Sequence, residues 1–413
     1  MNNSSNNSLG TLGSKVAPVT RFFGNVFGKY ALLIVLLFTM LVFDILLPDG
    51  VSMFMPHNLN NLIVQNGFVV ILAIGMLLCI ITGGNIDLAV GSIVILVGAF
   101  AGIFIVQWGI HPYVAILLCL MIGLLLGAWQ AFWIAIVGIP AFIVTLAGML
   151  TFRGIALIIM NGMNIGPFPV EYRNLFNSFL PAHWLPNPTP ESVFISTLVV
   201  GIVVSVIILA SRFISYMQRK RKGYDVGNII SEMLYPAIIC VAVIFLFYQL
   251  GRHNGMPAVL VIIGLVFLIY SYFTQNTVWG RHLYAMGGNA KAARLSGINT
   301  KRILFFAYAN NGLLAGLAAL VVVARFNQAS TMAGQGFELN AIAACFIGGA
   351  SASGGTGKVG RVVIGAVLMG VLNIGMTMLP GVNINWQNVI NGFVLLAAVT
   401  FDVVSKNKKG ATR

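Results

Sequence analysis

Apolar residues fall along this chain in long blocks rather than in alternation. Each block is closed by a short polar or glycine-rich break. Twelve blocks lie near 30–47, 62–82, 88–107, 112–137, 140–160, 192–210, 234–250, 256–273, 303–324, 339–349, 359–379 and 386–404. Most reach the ~18–25 residues with which a helix crosses a hydrocarbon core of about 30 Å. Helix is the form expected there, because a lone strand would leave its backbone groups unpaired in lipid. The tenth block, 339–349, is too short to span alone. It is expected either to be a half-helix or to run on into the loop that follows. The pattern predicts an all-α, polytopic membrane protein of about twelve hydrophobic segments, at least one of them broken or half-length.

Composition points the same way. The 413 residues are 59% hydrophobic and only 8% charged, too few charges to cover a water-soluble surface. Charge then sets the orientation. With the N-terminus inside and alternating segments, 19 of the 23 Lys and Arg fall on inner regions. Such a bias favours an N-in, C-in topology. It also accounts for most of the net charge of +14, which is spread over five inner regions and forms no patch for nucleic acid. Residues 1–29, rich in Asn, Ser and Gly, are expected to be a disordered cytoplasmic N-terminus, 30–404 the membrane domain and 405–413 a cytoplasmic tail.

Three connections stand out. The outside loop 161–191 carries Pro167, Pro169, Pro181, Pro186, Pro188 and Pro190 with Trp184, a density that favours an irregular, stiff loop over a helix. The inner loop 211–233 carries QRKRKG and reads as a topology anchor whose charges suit anionic headgroups. The inner loop 279–302, WGRHLYAMGGNAKAARLSGINTKR, is basic and compact, with a short amphipathic stretch between Gly288 and Gly297. It looks like a helix offered to another protein. Ala290, Ala292, Ala293 and Gly297 permit close approach, and Asn289, Lys291 and Arg294 give orientation.

Candidate chemistry is sparse. Gly355 to Gly360 reads GTGKVG and fits a dinucleotide fingerprint, but it lies between membrane segments and follows no strand. A phosphate loop fails as well, since position 352 is Ala and position 359 is Val. If transport is driven by ATP, the ATPase is a separate subunit. Cys79, Cys119, Cys240 and Cys345 sit inside apolar blocks without metal spacing, and the five histidines are scattered over loops and edges. No catalytic or metal-binding set is predicted, so an enzyme is not expected.

Ionisable and amide groups within the blocks carry the remaining interest. Asp87, in GGNIDLAVGS, precedes a helix start, and two roles fit it: capping free N–H groups, or lining and gating a path. Asn85 lies in the same break. Adjacent Asn310 and Asn311 suit hydrogen bonds between helices or a hydrophilic path. Glu338 falls at the outer start of the tenth block, where it suits the positive end of a helix. Arg153 lies in the outer half of its block, able to snorkel outward or to pair with Asp44. A faint internal echo links ITGGNIDLAVGS (81–92) to FIGGASASGGTGKVG (346–360). Both break an apolar run with a glycine pair facing inward, as broken helices of transporter halves do.

Taken in order, these motifs resemble a known family. Met286-Gly287-Gly288-Asn289 with Ala292-Ala293-Arg294-Leu295-Ser296-Gly297-Ile298 is similar to the cytoplasmic signature of ribose/galactose/xylose-type permeases of bacterial ABC importers. Ile86 to Ser92 resembles that family's IDLSVGS-like motif, and Glu338 to Cys345 with Ile347-Gly348-Gly349 its ELDAIAACVIGG-like motif. Trp386-Gln387 matches too. LLLGAW (124–129) and Pro140 to Gly154 look most like the xylose and multiple-monosaccharide members. The chain departs from the pattern at Asn85, Ala89 and Asn340, and the last removes a carboxylate whose role elsewhere does not carry over.

The resemblance implies a permease subunit of a monosaccharide importer in the bacterial cytoplasmic membrane, working as a homodimer or with one similar partner. It implies an extracytoplasmic sugar-binding protein and cytoplasmic ABC ATPases, with ATP and Mg on those subunits and no cofactor on this chain. Gly288, Asn289, Ala292, Ala293, Arg294, Leu295, Ser296 and Gly297 would form the ATPase-coupling helix. Asn85, Asp87, Asn310, Asn311 and Glu338 are candidates for the path or its gate. An ABC permease for a branched-chain amino acid or nucleoside, or an ion-coupled secondary transporter, are the alternatives.

Overall fold

A computed structural model describes residues 31–180, 189–224 and 229–410. The expectation for residues 1–29 lies outside that range, as do Trp184, three of the outer-loop prolines and the end of the tail.

All twelve apolar blocks are helical. In chain order the helices are α1 (Ala31–Leu46), α2 (Pro56–Ile81), α3 (Val90–Gly102), α4 (Pro112–Ala131), α5 (Ala141–Ile159), α6 (Val170–Asn177), α7 (Pro190–Arg221) and α8 (Ile229–Gly251). They continue as α9 (Ala258–Asn276), α10 (Val278–Gly288), α11 (Ala290–Leu295), α12 (Thr300–Phe326), α13 (Phe337–Ile347), α14 (Val359–Met378) and α15 (Ile384–Gly410). Helices α3 and α4 each end in a π-helical turn, Ile103–Gln107 and Phe132–Val137. Ten of the helices are long and apolar enough to cross a membrane. The tenth apolar block is α13, which at eleven residues reaches about half of a hydrocarbon core before Gly348.

Burial separates a centre from a rim. Helices α2, α3 and α12 are largely enclosed by protein, whereas α15 turns apolar side chains such as Phe393 and Leu396 outward along its length. The tightest central packing is α4 against α12. Gly123 and Gly127 on α4 face Gly312 and Gly316 on α12. A side chain at Gly127 would strike the Tyr308 and Ala309 carbonyls, and one at Gly312 would strike Gly123 and Gly127. Small residues four apart on both helices let the backbones touch, which drives helix association where lipid is as apolar as leucine.

Two connections differ from expectation. Part of the outside loop 161–191 is helical, as α6. Two of its prolines, Pro167 and Pro169, stand just before the helix, where a missing N–H costs nothing. Tyr172 of α6 donates to the Leu320 carbonyl at 2.9 Å, Phe168 N–H donates to Asn327 Oδ1 at 3.0 Å, and Ile165 bridges Ala329. The outer loop is thereby fastened to the end of α12. Phe179–Leu180 and Met256–Pro257 form a two-residue antiparallel sheet there. The sixth block starts at Pro190, not 192, because Thr189 and Ser192 form a reciprocal cap. It runs on to Arg221, so much of the expected inner loop 211–233 is helix. Arg, Lys and Gln favour helix, and a basic last turn suits the negative end of its dipole.

Candidate functional site

The inner surface is built by three successive helix caps. Thr277 Oγ1 accepts from Gly280 N at 3.0 Å and starts α10. Asn289 Oδ1 accepts from Ala292 N at 2.9 Å and starts α11. Asn299 Oδ1 accepts from Arg302 N at 3.0 Å and starts α12. Between the last two, Gly297 adopts φ +83°, a left-handed turn that ends α11 and suits glycine. Ala293 faces inward and is buried; Gly288, Asn289, Ala292, Arg294 and Ser296 fall on the other side or at its edges. Leu295 is 87% exposed, the most exposed large apolar side chain among the described residues. It projects from a polar surface outside the membrane-spanning helices.

Behind α11, the end of α10 rests on both glycine breaks at once. A side chain at Gly287 would run into the Ile81 carbonyl and the Gly355 amide. Those two groups are themselves joined, Gly355 N–H donating to Ile81 O at 2.9 Å. Tyr284 of α10 donates to the Gly357 carbonyl at 2.7 Å. The breaks also meet each other, Gly84 against the Ala352 carbonyl and Gly354 against Gly83. From the far side, Asp402 of α15 accepts from Ala352 N at 3.1 Å. The echo seen in the sequence is thus a contact in space.

From that junction the first break climbs into the bundle. Asn85 stays low, donating to Thr82 Oγ1 at 3.2 Å. Asp87 lies deeper and has no exposed surface. Its carboxylate accepts from Ala89 N at 2.9 Å and from Asn311 Nδ2 at 2.7 Å. The Gln130 amide, with its nitrogen turned towards the carboxylate, donates at 3.1 and 3.3 Å. Three N–H groups from the break, α12 and α4 therefore surround one buried anion, which would be costly without them. Asn311 is eleven residues past Thr300, about 17 Å along α12, so this hub sits near mid-membrane.

At that depth two helix N-termini adjoin. A side chain at Gly91, in the first turn of α3, would meet the Gly334 carbonyl and Glu338, which lies in the first turn of α13. The two helices then run in opposite directions, α3 outward and α13 inward. Glu338 is half-buried and within electrostatic reach of Arg153. Arg153 does not pair with Asp44, which is held in a local turn by Ser52 Oγ at 2.6 Å and Met53 N at 2.9 Å. Asn310 turns the other way and accepts from the Tyr270 hydroxyl of α9.

Of the candidate residues, the structure joins Asp87 to Asn311, sets Glu338 near Arg153, and leaves Asn85 and Asn310 apart. Gln130, Tyr284 and Asp402 were missed. A lone amide one helical turn from glycine-spaced α4 positions was the available signal for Gln130. Tyr284 and Asp402 carry none, since both act on backbone of a distant loop.

Residues 58–399 match the family model described as "Branched-chain amino acid transport system / permease component". The chain is 36% identical over 381 residues to the xylose transport system permease protein XylH of Haemophilus influenzae, covering 92% of this chain and 97% of that one. It is 36% identical over 352 residues to XylH of Escherichia coli K12, covering 85% and 86%. It is 33% identical over 377 residues to the ribose import permease protein RbsC of the same organism, covering 91% and 93%. No solved structure matches the chain.

Proposed function

Since this chain belongs to the family of permease components named for branched-chain amino acid transport, we propose that it is the membrane subunit of an ATP-driven importer that admits a monosaccharide to the bacterial cytoplasm. The observation that carries the reading is α11. A capped helix with an uncovered leucine follows directly on α10, whose end at Gly287 sits on the meeting point of both glycine breaks. A partner that grips α11 can move α10, and α10 cannot move without displacing Ile81 and Gly355. ATP on that partner would favour one arrangement of the breaks over the other, and only such a differential can shift a two-state gate.

The sugar assignment rests on the relatives, whose names specify xylose and ribose. Sugars are neutral and rich in hydroxyls. Half-buried Arg153, Glu338 and Asn340, near the start of α13, would offer hydrogen bonds along a path completed by a second copy of the chain. Substrate would arrive from an extracytoplasmic binding protein, and hydrolysis would occur on the ATPase subunits.

The test is reconstitution in vesicles with the ATPase and binding protein that co-purify with the chain. Hydrolysis and uptake are expected to rise with xylose, ribose or another monosaccharide and to stop when the ATPase is omitted. Stimulation by leucine or isoleucine and by no sugar would move the assignment to branched-chain amino acids. Accumulation against a gradient by the chain alone would overturn ATP coupling altogether.

A further inference from the structure

Beside α11 the inner surface holds a cavity of about 710 Å³, between α9–α10 and the second glycine break. That volume is in the range of small-molecule sites, roughly 300–1,000 Å³. None of residues 290–295 lines it, so it is separate from the surface assigned to the ATPase. Its walls carry three positive side chains from two parts of the chain, Arg281 on α10 and Lys358 and Arg361 at the second break and the start of α14. No Asp or Glu lines it. Among the described residues the ion pair is Arg219 with Glu232, far along the chain, so these three cations have no carboxylate partner.

Three like charges turned into one concavity repel one another unless an anion balances them. The walls are also held in place. Tyr284 fixes the break through Gly357, and buried Thr274 donates back into its own helix at 2.8 Å. At the same level, exposed Tyr272, Val278 and Trp279 form an aromatic and apolar margin of the sort found at a membrane–water interface.

We propose that this cavity binds a phosphate-bearing anion, supplied either by the headgroup of an anionic phospholipid of the inner leaflet or by free phosphate, with Arg281, Lys358 and Arg361 as its ligands. Arginine forks and a lysine point charge are the side chains suited to phosphate oxygens. Occupancy would brace the second break from the membrane side while α10 presses on it from below.

The experiment is native mass spectrometry of the full chain in detergent with added phosphatidylglycerol or phosphatidylcholine. A parallel thermal-shift series uses inorganic phosphate. Phosphatidylglycerol is expected to be retained over phosphatidylcholine. Lys358→Gln and Arg361→Gln should each lower that retention about fivefold, as expected for about 1 kcal/mol per interfacial cation. Removing one charge at exposed Arg252, just past the end of α8, should leave it intact. Stabilisation by inorganic phosphate, lost in the same two variants and without lipid preference, would assign the site to free phosphate. Equal retention of both lipids with no phosphate shift overturns the proposal. So does equal loss in the Arg252 control, or protection of the three cations by the ATPase subunit alone.

Discussion

The two glycine breaks look alike in sequence and touch in space, yet they are anchored in opposite ways. The first, at residues 82–89, carries its own carboxylate into the bundle, where Asn311, Gln130 and Ala89 N–H surround Asp87. The second, at 348–358, sends no charge inward. It is tied from outside by Tyr284, Asp402 and the contact of Gly355 with Ile81. One break is fixed at its deep end and the other at its surface end, and they meet beside Gly287, where Gly84 lies against Ala352 and Gly354 against Gly83. A push delivered there would bend each about a different fixed end.

The sharpest way to abolish the difference is to force the shared point apart. Gly287→Val places a branched side chain against the Ile81 carbonyl and the Gly355 amide, both backbone groups with no rotamer to yield. Overpacking against backbone should cost about 3 kcal/mol. The expected result is the largest fall in unfolding midpoint of any single change on the inner surface, measured in bicelles, with assembly lost at both breaks together. A Val variant as stable as the parent would mean that the junction is loose and transmits nothing.

One chemical change made at both anchors compares them directly. Asp87→Asn removes the buried charge and turns an amide nitrogen towards donors that now lack an acceptor. An orphaned buried donor costs about 1–3 kcal/mol, and destabilisation near 2 kcal/mol is expected. Asp402→Asn keeps a carbonyl oxygen for Ala352 N–H on a half-buried side chain near the helix end, so a loss under about 1 kcal/mol is expected. Equal losses in the same unfolding assay would contradict the assignment of deep and surface anchors.

How far this arrangement was legible in the sequence depends on the range of each interaction. The twelve apolar blocks, the half-length α13 and the helix at 290–295 follow from local pattern and local caps, and they were readable. Asp87 was conspicuous as a carboxylate in an apolar setting, but its partner Asn311 is 224 residues away and Gln130 sits on a third helix. Periodicity holds no record of such a meeting. The Gly123–Gly127 and Gly312–Gly316 spacings were visible, but only the fold shows that they face each other. Proline density misled over 170–177 because Pro167 and Pro169 stand just before α6, where they favour a helix start.

The smallest expected change in stability carries the largest functional consequence. Leu295 touches solvent over 87% of its surface and supports nothing inside the chain, so Leu295→Ser should leave unfolding within about 0.5 kcal/mol of the parent. If α11 is the part gripped by the ATPase, the same change removes an apolar anchor from the centre of that contact. Anchors of this kind contribute about 2 kcal/mol, which corresponds to roughly thirtyfold in affinity. ATPase capture by the immobilised permease should weaken by about that factor, and ATP-driven uptake with it, while both glycine breaks stay folded. Gly287→Val breaks the joint from within and takes stability with it. Leu295→Ser disconnects the joint from without and spares the fold. A Ser variant that captured ATPase and imported substrate at the parental rate would move the contact off α11, leaving the junction beneath it without a driver.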